Sequence, residues 1–215
     1  FGSLIILILT YFLIPVFYNK DLVRVKLTNQ ILKKYNLEVK FDGNLKYGLF
    51  PKPHFFIKDT IIIYDKKTLA KTDTIKVYIT IKNFFSSKDL KIKNLSFNQS
   101  EFNIDANNFS FFKKILNSNQ SRYNINFKKN NFFYKDKNED VIFLANIKNL
   151  NFLYNDDFNQ QLDAYLDIFN IPLKIKIINN LKKKNAFINI DSHKLRMNIK
   201  NNFDYSKERT IGSLD

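Results

Sequence analysis

Two histidines, His54 and His193, and no cysteine are available to this chain for acid–base, nucleophilic or metal chemistry. Without cysteine there is no thiol nucleophile, no Cys-ligated zinc and no disulfide scaffold. His54 precedes Phe55 and Phe56 with no Asp or Glu spaced to orient it, and reads as a surface or turn histidine. His193 follows Asp191 and Ser192, but neighbours along a strand point to opposite faces, so the three form no triad. Asp136, Glu139 and Asp140 resemble a weak cation site, yet their place between two alternating segments reads better as a solvated hairpin turn. Asp156-Asp157 reads the same way. With only 4 glycines there is no Gly-rich phosphate loop. The residues therefore assign no catalytic group, no metal site and no cofactor, and the chain reads as a non-enzyme.

Binding chemistry has to be weighed next. A net charge of +15 invites a nucleic-acid partner, but the excess comes from Lys, with Arg only at positions 24, 122, 196 and 209. Bidentate recognition of phosphate and base edges favours Arg. Lys, Asn, Ile, Phe and Tyr are inflated together, as AT-rich coding produces, so a solvated Lys-coated surface accounts for the charge. Anionic lipid headgroups are the next candidate. Phe127-Lys-Lys-Asn-Asn-Phe-Phe-Tyr134 could stack single-stranded bases, but cross-strand aromatic pairs in a hairpin explain it as well. The Asn-x-Ser triplets at Asn98, Asn108 and Asn119 are what an Asn-rich chain yields by chance.

The elements that must position these residues begin with an apolar segment. Residues 1–18, FGSLIILILTYFLIPVFY, carry no charge and as a helix would extend about 27 Å, close to a bilayer's hydrocarbon core. Phe17 and Tyr18 suit the interface. No small-x-small cleavage site follows, so a retained transmembrane anchor is expected rather than a cleaved signal. The lysines that follow would favour a cytoplasmic body, although long domains translocate despite such charges. Residues 19–36 form the connecting amphipathic helix. Val23, Leu27, Ile31 and Tyr35 recur every four residues, Asn19 or Asp21 can cap the start, and Asn36 can close the end.

From Leu37 the period becomes two, and residues 37–215 read as one β-rich domain. Val39 to Leu49 alternates as one strand, with Gly43 at a bulge or close approach. Phe50-Pro51-Lys52-Pro53 turns into a strand over His54–Tyr64. Ile75–Lys82 alternates most cleanly. Leu90–Ile104 slips phase near Asn94, and Asn108–Leu116 could be a short helix. Strands follow around Tyr123–Phe127 and Val141–Tyr154, and then at Leu162–Ile168, Ile171–Ile177, Ala186–Ile190 and Leu195–Ile199, in a meander. About ten strands, each with one apolar face, are more than one helix can cover. Either the sheet closes into a sandwich or barrel, or its apolar face serves apolar ligands.

The order of these features resembles the N-terminal portion of the AsmA family of bacterial envelope proteins. The resemblance rests on the membrane span, on Asn36 to Gly43 (NLEVKFDG), and on the strand running into Leu49-Phe-Pro-Lys-Pro53. It continues through the apolar strand Phe55–Tyr64, the link Leu69–Val77, and the strand-loop-strand Ile75–Phe97. Tyr123–Tyr134 looks like the family's recurring unit, with Asn131 where glycine is usual and Asp136 at the acidic turn. The family is longer than 215 residues, so the resemblance implies a piece of a longer protein, truncated at both ends.

That resemblance implies a mainly β protein: an N-terminal transmembrane helix, and a second helix packed near an extended antiparallel, groove-like sheet. It implies an inner-membrane, single-pass protein with a periplasmic β-rich domain. Its apolar groove would carry phospholipid between inner and outer membrane and support outer-membrane homeostasis, with no nucleic-acid partner. The candidate groove residues are Ile75, Val77, Ile79 and Ile81 on one strand and Ile171, Leu173, Ile175 and Ile177 on another. An ordinary closed core is the alternative for each. The alternative function is a structural scaffold for outer-membrane protein assembly, docking partners by β-augmentation.

Overall fold

A computed structural model of the chain describes residues 2–41, 43–80, 84–112, 124–154, 159–206 and 211–214. The protein is mainly β, with 57% of residues in strands. Helix α1 (Gly2–Leu13) runs into a 3-10 turn (Ile14–Phe17), and α2 (Lys20–Tyr35) follows. The strands are β1 (Glu38–Phe41), β2 (Lys46–Gly48), β3 (His54–Tyr64), β4 (Lys67–Ile79), β5 (Ile92–Ile104) and β6 (Ile125–Lys135). Then come β7 (Val141–Tyr154), β8 (Asn159–Ile168), β9 (Ile171–Asn180), β10 (Asn185–Ser192), β11 (Met197–Asp204) and β12 (Ile211–Leu214). They form one open sheet in the order β1-β3-β4-β5-β6-β7-β8-β9-β10-β11-β12, with β2 also on β3. The chain divides into two compact units, Phe1–Ser96 and Phe97–Asp215, the division falling inside β5.

In the first unit the expected unbroken span of residues 1–18 is not one α-helix. Pro15 has no N–H to donate and its ring crowds the preceding turn, so the α-helix stops at Leu13. Among the described residues no single helix is long and apolar enough to cross a membrane; Ser3–Phe17 and Lys20–Tyr35 pass that test only as a pair, bent by 86°.

The bend sends α2 back over the first strands. Asn19 caps it, its side-chain oxygen accepting from the Asp21 and Leu22 amides, and Asn36 closes it at φ 55°. Val23, Leu27, Ile31 and Tyr35 are buried, the face their spacing required. Arg24 donates to the Phe41 carbonyl at the end of β1 (2.6 Å) and lies over the Phe41 ring (4.2 Å). Gln30 donates to the Leu90 carbonyl (2.7 Å) and accepts from the Ile92 amide (3.0 Å) at the start of β5. With bonds to β1 on one side and β5 on the other, α2 crosses β3 and β4, which lie between them in the sheet.

Two strand readings change. The single strand expected over Val39–Leu49 is two, β1 and β2, both on β3. Phe41 faces Thr60 and Lys46 faces Phe56, so five steps on one side oppose four on the other, which is a bulge. A side chain on Gly43 would stand 3.3 Å from the Lys58 carbonyl, so the close approach expected there is real. The Leu69–Val77 link is not a link but lies inside β4, where Lys67, Thr68 and Lys71 face solvent and dilute the alternation.

The second unit continues as hairpins. Phe169-Asn170, both at positive φ, make a two-residue turn between β8 and β9, as Asp65-Lys66 do between β3 and β4. Of the expected Asn108–Leu116 helix, Asn108 and Phe109 lie in a turn and residues 110–112 begin a helical turn; residues 113–116 lie outside the described residues. At the β6–β7 turn, Asp136 accepts from the Asn138 and Asp140 amides, so its carboxylate serves the backbone of a hairpin turn. Asn119, Tyr123 and Asp156-Asp157 lie outside the described residues.

Candidate apolar ligand face

Alternation places Ile171, Leu173, Ile175 and Ile177 of β9 on one face and Lys174 and Lys176 on the other. Register carries the apolar side across its neighbours. Leu162, Ala164, Leu166 and Ile168 of β8 sit opposite Ile177, Ile175, Leu173 and Ile171. On the other flank Ile188 and Ile190 of β10 face Ile177 and Ile175, and Ile199 of β11 faces Ile190. Phe152, Leu150, Ile147 and Ala145 of β7 extend the patch beyond β8. Five strands at ~4.8 Å spacing and about seven residues at ~3.3 Å rise give an apolar side on the order of 400 Å², of which the part on β7 and β8 (Ala145, Ile147, Phe152, Ala164 and Leu166) is buried.

The β9 stripe is half-buried, and so are Ile188, Ile190 and Ile199. Among the described residues of this unit no helix longer than the 110–112 turn is present. At one end the face finishes in polar groups. Asn179 donates to Gln160 (3.0 Å), and the Tyr205 hydroxyl donates to Asn179. The opposite face carries charge in register: Asp163 faces Lys176, and Lys174 faces Asp191. Lys148 pairs with Asp167 (2.9 Å), a hydrogen bond that raises the lysine's pKa.

The other candidate stripe has different surroundings. Ile75, Val77 and Ile79 are 0%, 0% and 3% exposed, with Phe55 and Ile57 of β3 opposite Val77 and Ile75. They belong to the closed core of the first unit, under α2, and line no open groove. Ile81 lies outside the described residues. The two stripes fall in different units.

Nearer the start of the second unit the apolar face is closed by aromatic rings. Phe97 stacks on Phe127 (5.3 Å), Phe102 lies 4.9 Å from Phe132, and Phe112 lies 5.4 Å from Phe132. Phe127 is thus packed in a core, and Tyr134 stacks on its cross-strand partner Phe143 (5.1 Å). Those rings are the paired hairpin aromatics, and the stacking platform considered for bases is not free. Asn130 is buried among them, donating to the Phe97 carbonyl and accepting from the Ser100 amide.

The histidines are separate. His54 is not on the surface: it is 4% exposed, lying over Gly48, where a side chain would stand 2.7 Å from the imidazole. Its Nδ1 donates to the Lys52 carbonyl (2.8 Å), and burial holds its pKa below 6.5. Composition gave no sign of this cross-strand pairing; the glycine opposite His54 is its only trace. His193 is exposed at the β10–β11 turn, 4.0 Å from Asp191. Among the described residues no three His, Asp or Glu side chains gather as metal ligands.

Fold and face together define the class: a mainly β protein built on a large, mostly antiparallel open sheet, one stretch of which has an apolar side without a covering helix among the described residues. No protein-family model and no curated protein matches the chain.

Proposed function

We propose that this chain is a membrane-anchored envelope protein of the AsmA type, with a groove-like sheet that shelters phospholipid acyl chains on their way between inner and outer membrane. The observation that carries the reading is the half-buried apolar face of β9–β11, continuous with the buried apolar residues of β7 and β8 and backed by a charged opposite face. Its length, about 20 Å along the strands, matches the depth of one bilayer leaflet, about 15 Å. Each methylene sheltered there is worth roughly 0.8 kcal/mol, so one acyl chain offsets much of the cost of leaving the bilayer while its headgroup stays in water. No chemistry is asked of the chain. α1, whose apolar side chains from Leu4 to Leu9 are all exposed, seats in the inner membrane, and the β-rich body lies in the periplasm.

The test is a photo-reactive side chain at Ile175 in the full chain within living cells, with Lys174 on the opposite face as control. Lipid adducts at Ile175 and none at Lys174 are expected. Equal labelling at both positions overturns the reading. A protein of the outer-membrane assembly machinery captured in place of lipid would put the scaffold function ahead.

A further inference from the structure

The end of the first unit where α1 emerges carries exposed aromatic rings that the acyl-chain face does not use. The Ile79 amide donates to the Pro53 carbonyl, so the β2–β3 turn and the loop after β4 lie at the same end of the sheet. α1 and Tyr18, the residue after the 3-10 turn, are tied to that end three ways. Tyr47 of β2 donates to the Phe12 carbonyl (2.8 Å), the Phe84 amide donates to the Tyr11 hydroxyl (3.2 Å), and Tyr18 donates to the Phe84 carbonyl. Tyr11 also stacks on Phe84 (5.2 Å) and meets Phe85 (5.4 Å).

Around this junction Phe17, Phe50 and Phe85 are 87%, 82% and 79% exposed. Phe50 is three residues from Tyr47, hence within about 11 Å of it along the chain. Exposed Lys20, Lys46, Lys52 and Lys88 belong to the same segments. Isolated exposed apolar residues are ordinary on a protein surface. Three phenylalanines on three separate segments, gathered where an apolar helix leaves the body and interleaved with lysines, have the composition of an interfacial belt.

We infer that this end of the first unit is a membrane-seating surface: Phe17, Phe50 and Phe85 enter the headgroup region of an anionic phospholipid bilayer, and the lysines pair with its phosphates. The occupant follows from continuity with α1, whose all-round apolar exposure suits hydrocarbon, and from the positive charge of the rim. β3 and β4 then stand end-on to the bilayer, with the Asp65-Lys66 turn away from it. The inference rests on the proposed anchoring of α1 but adds a second, peripheral contact that anchoring alone does not require.

The chain has no tryptophan, so a single introduced one reports alone. Full-length F50W, F85W, L7W and I61W proteins are reconstituted into vesicles of phosphatidylethanolamine and phosphatidylglycerol, with and without bromine on the acyl chains. Ile61 is the distant control, seven residues up β3 from His54, about 23 Å along the strand. Blue-shifted emission that brominated lipid quenches is expected at positions 7, 50 and 85, with none at 61. Quenching at 7 but not at 50 or 85 overturns the seating surface and leaves the anchor standing. Quenching at 50 and 85 but not at 7 keeps the surface and overturns the anchor, and equal quenching at 61 overturns the end-on placement. Quenching at none of the four overturns both.

Discussion

Ile75 on β4 and Ile175 on β9 stand in nearly the same local sequence, flanked by lysine and with branched apolar residues two positions away on either side or on one. Their surroundings are opposite. Ile75 is fully buried beneath α2, whereas Ile175 is half-buried, with no covering helix among the described residues of its unit. Among the described residues the difference is one helix. α2 brings four apolar side chains to the first unit, each worth about 1.5–3 kcal/mol when buried. Arg24 and Gln30 then fix its position by bonding strand ends on both sides. A strand pattern determines which side of a sheet avoids water; the cover on that side determines whether it becomes a core or a face that can take a ligand.

A charge placed in each stripe probes this contrast most strongly. Ile75→Asp puts an unpaired carboxylate under α2 and is expected to cost more than about 4 kcal/mol, unfolding the first unit. Ile175→Asp can reach water and is expected to keep the fold while losing lipid adducts. Urea titration followed by circular dichroism separates them, and equal destabilisation would erase the distinction between core and face. Removing cover is the next step down. Leu27→Ala on α2 is expected to cost about 2–5 kcal/mol, while Ile190→Ala on the open face costs about 1 kcal/mol or less because water already reaches it. Comparable losses would mean that something covers the β9–β11 face in the protein's working state.

The gentlest probe is pH. Burial holds the His54 imidazole below its unfolded pKa of 6.5, so as pH falls the unfolded chain takes up a proton first. Stability of the first unit is complete above 6.5 and declines as pH drops from there toward the folded pKa. Urea midpoints across that range should fall for the wild type and much less for His54→Gln; an unchanged wild-type midpoint would place His54 in water.

The sequence was readable where structure is local. Asn19, the four-residue spacing through Tyr35 and Asn36 determine α2 by themselves, because caps and helix faces depend on residues a few positions apart. Period-two alternation marked most strands and the polarity of β9. What it could not show is tertiary. Nothing in Val39–Leu49 says that its partner strand is one residue shorter, so β1 and β2 read as one. Nothing near Ile75 says that α2, more than forty residues earlier, will lie over it. The burial of His54 depends on Gly48 across a turn, and the alternation of β4 is diluted by Lys67, Thr68 and Lys71 on its solvent side.

Apart from β1, which pairs past β2 to β3, each strand pairs with its neighbours in the sequence, with no crossover. This makes assembly incremental. Every hairpin brings together segments already close along the chain, so the loop-closure entropy paid at each step is small and folding need not wait for a distant partner. A polypeptide emerging N-terminus first from the ribosome could add strands in the order in which they arrive. By the same logic an inserted hairpin would extend such a sheet without disturbing the pairs already made, so its length can change one hairpin at a time.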